Sequence, residues 1–418
     1  MSNTQKVITF GCRLNIYESE IIKQNLIKSN EENIVVFNTC AVTKQAEKQA
    51  KQAIRKLYRE DPSKRIIVTG CAAQNNPEMF AAMQEVDKII GNEEKLTSKH
   101  YHINSEKIVV SNIMSIKNSN TNNHNITNFE GKTRAFIQVQ NGCDHRCTFC
   151  MIPYARGNSR SVPLGVIVEQ ARKLYKNGYK EIVITGVDVT AYGMDLPGQP
   201  TFAQMIRRLL LLVPELRRVR LSSIDVAEID NELFNLMAYN NKLMPHFHIS
   251  LQSGDNMILK RMKRRHTREE VIKFCHSLRN IRPSVSFGAD IIAGFPTETD
   301  SMFENTRKLI SEAGIQYLHI FPYSERAKTP AAKMPPVPTH IRKNRASILR
   351  TEGNKELKKF FNKQLGCKVQ LLVENNNMAH SENFIPVKLE NQLTSGQIIN
   401  ATLVSLASNY MLAKIIKT

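Results

Sequence analysis

Residues 134–150 read RAFIQVQNGCDHRCTFC, and this stretch decides the fold of the largest part of the chain. A strand-like apolar run, 136–139, leads into three cysteines with the spacing C-x3-C-x2-C, at Cys143, Cys147 and Cys150. Further strand-like runs follow, each separated from the next by a helical pattern. Such strand–helix repeats predict parallel strands, and six repeats are too few for a closed eight-fold barrel. We therefore predict an α/β core, a partial (βα)6 barrel, with functional residues in the loops that follow its strands.

The predicted barrel elements are defined by their patterns of apolar residues. The six strands are Phe136–Val139, Glu181–Thr185, Val219–Ser222, Phe247–Leu251, Phe287–Ile292 and Tyr317–Phe321. Helices are expected to start near Pro163, Phe202, Ile229, Arg268 and Glu298.

The first hundred residues predict a separate, doubly wound parallel sheet. The apolar runs 7–10, 34–37 and 66–68 alternate with amphipathic helical stretches. Each run is followed within three residues by a cysteine: Cys12, Cys40 and Cys71. Because loops after parallel strands meet at one edge of the sheet, the three thiols predict a metal or cluster site there. The alternative is three unrelated buried cysteines, which behave as small apolar residues.

The tail of the chain changes character after residue 365. Period-two alternation in 367–373, 385–389, 398–404 and 410–416, broken by Asn- and Ser-rich turns, predicts a small antiparallel β-barrel. Its length resembles that of the five-stranded barrels that bind nucleic acids. Between the first sheet and the larger barrel, residues 117–131 read KNSNTNNHNITNFEG, which is typical of a linker.

The charge balance points to a polyanionic partner. The chain of 418 residues has 58 Lys and Arg against 38 Asp and Glu, a net charge of +20. Nucleic acid is the simplest such partner, and a generally basic proteome is the alternative. Within the basic stretch 342–363 we select Lys355, Lys358 and Lys359 as RNA-binding residues. No apolar run approaches the ~20 residues of a membrane span, and the polar start shows no secretory signal, so we expect a cytoplasmic protein without a membrane partner.

The cysteine loop of the barrel has the chemistry of an iron–sulfur site. Three thiolates can hold three corners of a 4Fe–4S cluster and leave one iron open to bind another molecule. A structural zinc ion would require a fourth ligand, and His145, which lies between two of the cysteines, is poorly placed to supply it. Stable disulfides are rare in the cytosol, so that use of the cysteines is not expected.

With Phe149 directly before its last cysteine, this loop resembles that of the radical S-adenosylmethionine (SAM) superfamily. Within that superfamily, the chain resembles the methylthiotransferases over almost its whole length. The motifs that carry the resemblance are TFGCRLNIYESE (9–20), NTCAVT (38–43), GC (70–71), RAFIQVQNGC (134–143), IPYARG (152–157), HISLQSG (248–254), DIIAGFPTE (290–298) and HIFPYS (319–324).

This resemblance implies cofactors and a domain organisation. It implies two 4Fe–4S clusters, one on Cys12, Cys40 and Cys71 and one on the barrel cysteines, with SAM bound at the second. The implied domains are a methylthiotransferase domain (1–116), a linker (117–131), a radical SAM core (132–355) and a TRAM-like β-barrel (356–418). No catalytic residue is expected beyond the clusters.

The resemblance also implies a substrate. The GCRLN-x-YESE segment most resembles the branch that acts on C2 of N6-threonylcarbamoyladenosine at position 37 of tRNA. The implied partners are tRNA, an electron donor and a sulfur donor. The alternatives are the branches that act on isopentenyladenosine in tRNA or on a ribosomal protein, and a non-catalytic iron–sulfur protein that binds RNA.

Five residues are predicted to contact SAM, each near the end of a barrel strand or beside the cysteine loop. Gly186 would allow a close approach of the backbone, and the guanidinium of Arg264 matches a carboxylate. The alternative is that they are ordinary polar residues at strand ends or, for Arg264, one more phosphate contact. The set comprises Phe149, Gly186, Ser222, Gln252 and Arg264.

Overall fold

The computed structural model describes residues 5–103, 106–117 and 125–416. Its amino-terminal part is a five-stranded parallel sheet with the strand order β1-β2-β3-β4-β5. Strand β2 is buried along its whole length, which is typical of a central parallel strand covered on both faces. The elements are β1 (Lys6–Thr9), α1 (Arg13–Ser29), β2 (Ile34–Thr39), α2 (Lys44–Glu60), β3 (Arg65–Gly70), α3 (Cys71–Asn75), α4 (Pro77–Ala81), β4 (Lys88–Ile90) and β5 (Ile108–Val109).

Helices cover both faces of this sheet, and each face has its own apolar core. On one face Leu26 of α1 packs with Val36, and on the other Ile54 of α2 packs with Phe37. The predicted parallel sheet is confirmed. Its strands follow one another in chain order, without the reversal of order that marks the switch point of a doubly wound sheet.

The central part is the predicted partial (βα)6 barrel. Two three-stranded parallel sheets, β6-β9-β10 and β11-β12-β13, are joined by bridges from Val219 to Leu243 and from Ile224 to Ile249. Its elements are β6 (Arg134–Gln138), β7 (Gln140–Asn141), α5 (Ile152–Arg156), β8 (Arg160–Ser161), α6 (Leu164–Lys176), β9 (Glu181–Thr185), α7 (Phe202–Leu212), β10 (Arg218–Leu221), α8 (Asn231–Tyr239), β11 (His246–Gln252), α9 (Asn256–Arg261), α10 (Arg268–Ile281), β12 (Ser286–Ala293), α11 (Asp300–Ala313), β13 (Tyr317–Pro322) and α12 (Thr339–Lys363).

Helix α1 and the end of the predicted linker pack directly on this barrel. Tyr17 of α1 belongs to the same apolar core as Phe136 of β6, and its ring lies 6.4 Å from that of Phe129. Ile126 and Phe129 are completely or almost completely buried, so the described end of the segment 117–131 is anchored to the barrel. Residues 118–124 of that segment lie outside the described residues.

The carboxy-terminal part is a closed five-stranded barrel in the order β14-β15-β16-β18-β17. All strand pairs are antiparallel except β16 with β18, which is parallel. The sequence pattern does not predict strand β15. Helix α12 runs unbroken past residue 356 and places Phe360 and Phe361 in the core of this barrel. The strands are β14 (Lys368–Val373), β15 (Met378–Ser381), β16 (Pro386–Lys388), β17 (Ile398–Leu406) and β18 (Met411–Ile415).

This small barrel docks against the amino ends of the central barrel's strands. The ring of Phe384 stacks on His246, the first residue of β11, at 4.6 Å. Ser286, the first residue of β12, donates a 2.7 Å hydrogen bond to the carbonyl of Asn383. The carboxyl ends of the barrel strands, where the cysteine loop lies, therefore remain free of the small barrel.

Among the residues described, no helix combines the length and apolar character that crossing a membrane requires.

Candidate active site: two cysteine triads

The amino-terminal triad consists of Cys12, Cys40 and Cys71, and each follows a strand of the parallel sheet. Cys12 caps α1 just after β1, Cys40 follows β2, and Cys71 begins α3 directly after β3. Cys40 interacts electrostatically with both other cysteines, so the three thiols share one edge of the sheet. Gly11, at a φ of +94°, lies against Cys40: a Cβ on it would be 2.8 Å from the Cys40 sulfur.

The geometry of this triad fits a cluster with three protein ligands. All three cysteines are free of disulfides, and Cys12 is exposed while Cys40 and Cys71 are buried. Burial raises the pKa of Cys40 to about 12, and the neighbouring thiol of Cys71 contributes to the rise. A buried thiol of this kind becomes a thiolate when a metal replaces its proton. The exposed side at Cys12 leaves room for an iron without a protein ligand.

The barrel triad consists of Cys143, Cys147 and Cys150, in the loop after β7. The backbone N–H of Cys150 donates to the carbonyl of Cys147 at 3.0 Å, which closes a tight turn. All three cysteines are partly buried and free of disulfides. Burial raises the pKa of Cys150 to about 12 and that of Cys143 further. This loop therefore also presents three thiols that fit an iron–sulfur cluster.

His145 lies within this loop and is occupied by carboxylates. Its Nε2 is 3.0 Å from Asp188 and 3.2 Å from Glu228. Hydrogen bonds to Asp188 and Glu228 raise the pKa of His145 to about 10, and the nearby charge of Arg265 opposes this rise. The imidazole of His145 is thus held by the two carboxylates beside the cysteine loop.

The two triads lie next to each other at the interface between the sheet and the barrel. Cys150 interacts electrostatically with Cys71 of the other triad. The side chain of Asn92 joins the two sides, because its Nδ2 is 3.8 Å from the sulfur of Cys71 and 2.7 Å from the carbonyl of Ala155 in α5. The arrangement can therefore bring chemistry at one triad directly to chemistry at the other.

A buried ion network beneath the triads holds the two domains together. Arg156 of α5 donates hydrogen bonds of 2.8 and 2.9 Å to Glu18 of α1 and one of 2.7 Å to Asn15. Lys95 donates to Glu18 at 2.7 Å. Burial alone would raise the pKa of Glu18, but the charges of Arg156 and Lys95 lower it to about 2. Sequence reasoning missed this network, although Glu18 and Arg156 both stand in the quoted motifs.

Two of the residues predicted to contact SAM, Arg264 and Gly186, have neighbours in or next to the cysteine loop. Arg264 places a guanidinium nitrogen 3.8 Å from the sulfur of Cys147 and is held by a 3.0 Å ion pair with Asp225. Gly186 approaches the backbone closely, since a Cβ on it would lie 2.9 Å from the carbonyl oxygen of Gln140.

The other three residues predicted to contact SAM are Phe149, Ser222 and Gln252. Phe149 meets Phe295 edge to face, with ring centroids 6.4 Å apart. The hydroxyl of Ser222 is buried without a hydrogen-bond partner. Gln252 ends β11 with a φ of +70°, a conformation that is uncommon for residues other than glycine.

The predicted RNA-binding lysines lie on the exposed face of α12. Lys355 and Lys359 form ion pairs with Glu352 and Glu356 of the same helix, at 3.0 and 2.7 Å, and Lys358 is exposed. Beside them, a cleft of about 1420 Å³ opens between the two barrels. Its basic lining includes Arg217, Arg279, Arg282, Lys359, Lys363 and Lys368.

The fold and the cysteine loop define a radical SAM protein. The model of the Radical SAM superfamily matches residues 137–310, and that of the uncharacterized protein family UPF0004 matches residues 4–91. A threonylcarbamoyladenosine tRNA methylthiotransferase of Rickettsia prowazekii is 66% identical over 407 residues, which cover 97% of this chain and 96% of the relative. The protein of the same name from Aquifex aeolicus is 37% identical, over 94% of this chain and 98% of the relative. The chain belongs to this methylthiotransferase family.

A comparison with solved structures supports the fold. The radical SAM methyltransferase TsrM of Kitasatospora setae, solved with cobalamin and a 4Fe–4S cluster bound, aligns with a TM-score of 0.58 at 14% identity. The alignment covers 79% of this chain and 77% of that one.

Proposed function

We propose that this enzyme replaces the C2–H bond of N6-threonylcarbamoyladenosine at position 37 of tRNA with a methylthio group. SAM serves both as the source of the radical and as the methyl donor. The observation that carries the proposal is the pair of cysteine triads joined through Asn92, which contacts Cys71 on one side and Ala155 on the other, in a chain 66% identical to a threonylcarbamoyladenosine tRNA methylthiotransferase. A site that removes hydrogen and a site that supplies sulfur must both reach one carbon atom, and adjacent triads meet that requirement.

In this proposal the two triads have different roles. Cys143, Cys147 and Cys150 hold the cluster that binds SAM, and Cys12, Cys40 and Cys71 hold a second cluster beside the sulfur donor. When bound, the first cluster supplies the electron that cleaves SAM to a radical able to abstract hydrogen from carbon. An electron donor must feed the site, and a separate donor must bring the sulfur.

The surrounding residues bind and orient the cofactor. Arg264, fixed by Asp225 next to Cys147, would hold the carboxylate of SAM. Ser222 offers a buried hydroxyl without a hydrogen-bond partner. Gly186 has no side chain, so its backbone can come close to the cofactor. Phe149 and Gln252 complete the set of proposed cofactor contacts.

The RNA is proposed to bind across the basic cleft and the exposed face of α12. Lys355, Lys358 and Lys359 would contact phosphates, which position RNA without reading its sequence. The closed carboxy-terminal barrel would act as a TRAM-like RNA-binding module. With tRNA as the substrate, we propose that the enzyme works in the cytoplasm.

Analysis of tRNA nucleosides tests the proposed function. A strain that lacks the gene should accumulate N6-threonylcarbamoyladenosine without its 2-methylthio derivative, as measured by liquid chromatography and mass spectrometry. Expression of the wild-type protein should restore the derivative, and a Cys147→Ala variant should not. If the lost nucleoside were a methylthio derivative of isopentenyladenosine, or if the tRNA were unchanged, the proposed substrate would be wrong.

A further inference from the structure

Three polar side chains from adjacent strands meet in the wall of the central barrel. His248 of β11, Asp290 of β12 and His319 of β13 lie side by side, and Asp290 is the paired residue of His319 in the register. One carboxylate oxygen of Asp290 is 3.1 Å from His248 and 3.1 Å from His319. His248 is buried, whereas the side chain of His319 is 64% exposed. His319 therefore keeps its second ring nitrogen, Nε2, available to a ligand that enters the barrel.

Arg13 reaches the same part of the barrel from the other domain. It is the first residue of α1, directly after Cys12, and it is partly buried. Its charge interacts with Asp290 of β12 and with Glu181 and Arg134 at the amino ends of β9 and β6. These residues stand on three barrel strands, and Tyr17 of α1 packs into the barrel core, so α1 brings Arg13 to the barrel.

The guanidinium of Arg13 has no partner of its own. In the described part of the chain, every other arginine that is not exposed makes a hydrogen bond or an ion pair, and Arg13 makes neither. Its nitrogens are not among the buried unpartnered atoms, so they stay open to a molecule that enters the barrel. A guanidinium whose donors are open and unbonded can form direct hydrogen bonds to an anionic ligand.

The charges at this place favour an anion over a metal ion. The ligand atoms of His248, Asp290 and His319 lie within 4.8 Å of one another, which by itself would suit a cation. Asp290 is the single carboxylate among them and already bonds both imidazoles, while Arg13 adds a positive charge nearby. A cation would be repelled by Arg13, and a carboxylate would satisfy it.

We propose that Arg13, assisted by Nε2 of His319, binds the carboxylate of the threonylcarbamoyl group of the substrate. This inference rests on the proposed function and adds a residue that determines specificity. The planar guanidinium can donate two parallel hydrogen bonds to a carboxylate. Since Arg13 adjoins Cys12, this contact holds the modified adenosine beside the amino-terminal triad. An uncharged N6 substituent would leave Arg13 unsatisfied and would therefore be bound less well.

Binding of chemically matched RNAs tests the inference without relying on turnover. The probes are anticodon stem-loops that carry N6-threonylcarbamoyladenosine, its neutral threonine amide, or plain adenosine at position 37. Their dissociation constants are measured under anaerobic conditions with the reconstituted protein. The wild type should bind the acid roughly 10- to 100-fold more tightly than the amide, because a hydrogen bond to a charged group is at stake.

Variants assign that preference to Arg13. Arg13→Gln should bind acid and amide with similar affinity, and Arg13→Lys should recover part of the preference because it keeps the charge. Arg208→Gln, an exposed arginine of α7, removes the same charge elsewhere and should keep the wild-type preference. Iron content and melting temperature show whether each variant holds its clusters.

Two outcomes would overturn the inference: a wild type that does not distinguish the acid from the amide, or an Arg13→Gln variant that keeps the full preference. The first comparison needs no variant, so it tests the inference even if the Arg13→Gln protein fails to fold. Failure of the proposed function would look different. The wild type would still bind the RNA with the acid more tightly, through Arg13, but would form no methylthiolated product from it.

Discussion

The two cysteine triads lie side by side but are built in opposite ways. Cys143, Cys147 and Cys150 occupy eight consecutive residues of one loop, and a single backbone turn brings the last two together. Cys12, Cys40 and Cys71 span sixty residues and meet only because β1, β2 and β3 pair in parallel. The first triad is therefore a product of local sequence, and the second is a product of the tertiary fold. Changes to the sheet should disturb one triad and spare the other.

The largest effect is expected from removal of the local triad. Replacing Cys143, Cys147 and Cys150 by Ala should leave about four irons per chain, those of the other triad. Cleavage of SAM should be abolished, because the proposed binding site for SAM is lost. Iron analysis and release of 5′-deoxyadenosine on reduction measure both results. Continued release of 5′-deoxyadenosine would show that the radical site lies elsewhere.

Removal of the long-range triad should separate the two activities. The variant with Ala at Cys12, Cys40 and Cys71 should still cleave SAM, since its barrel loop is intact. It should not insert sulfur, because the proposed second cluster is gone. The assay compares 5′-deoxyadenosine with methylthio nucleoside in the same reaction, and normal methylthiolation would contradict a role for two clusters.

The buried ion network that joins the two domains should matter for stability. Arg156→Met leaves the buried carboxylate of Glu18 with Lys95 as its remaining ionic partner. Breaking a buried ion pair in this way typically costs about 3–5 kcal/mol of unfolding free energy. Denaturant unfolding of the apoprotein measures the loss, and Arg172→Met, at an exposed site, is the control. A loss equal to that of the control would mean that the network does not hold the domains.

A smaller and more selective effect is expected at Gly11. Alanine there would place its Cβ 2.8 Å from the sulfur of Cys40, at a φ of +94° that alanine avoids. The iron of the amino-terminal triad should fall while cleavage of SAM is kept. Gly165→Ala, whose Cβ would meet no atom within 4 Å, is the matched control. Equal iron contents in the two variants would show that the sheet edge tolerates the change.

The smallest effect is expected at the lysines of α12. Changing Lys355, Lys358 and Lys359 to Gln should weaken tRNA binding, and each lost phosphate contact should lower the salt slope by about 0.7–0.9. Lys355 and Lys359 already pair with glutamates. Among the single changes, Lys358→Gln should therefore cause the largest loss of tRNA affinity. Cleavage of SAM without RNA should be unchanged. An unaltered affinity and salt slope would assign the RNA contacts to other residues.

The parts of the molecule that are predictable from sequence follow from short-range patterns. The spacing of Cys143, Cys147 and Cys150 is visible directly, and the meeting of the other triad follows from the rule that parallel strands end at one edge. Contacts between distant segments are not predictable in this way, and Glu18 and Arg156 are 138 residues apart. No pattern in either segment indicates that their charges meet in a buried interface.

Local composition is misleading in two places. The short strand β15 follows an Asn-rich turn, and its sequence predicts a loop rather than a strand. Ile126 and Phe129 stand in an Asn-rich segment that suggests a linker, yet both are buried against the barrel. In each case the burial of a few apolar residues stabilises the ordered structure more than the surrounding polar residues favour a loop.

The docking of the small barrel on the amino ends of the strands fixes how far the RNA must reach. Strand β11 has seven residues and stacks on Phe384 at its first residue, while its last residue stands at the opposite, open end. At ~3.3 Å per residue the strand is about 23 Å long. An RNA held by the small barrel must therefore run along the outside of the central barrel before its modified nucleotide can enter. In the proposed binding mode, the body of the tRNA and the reacting base would therefore lie at opposite ends of the same strands.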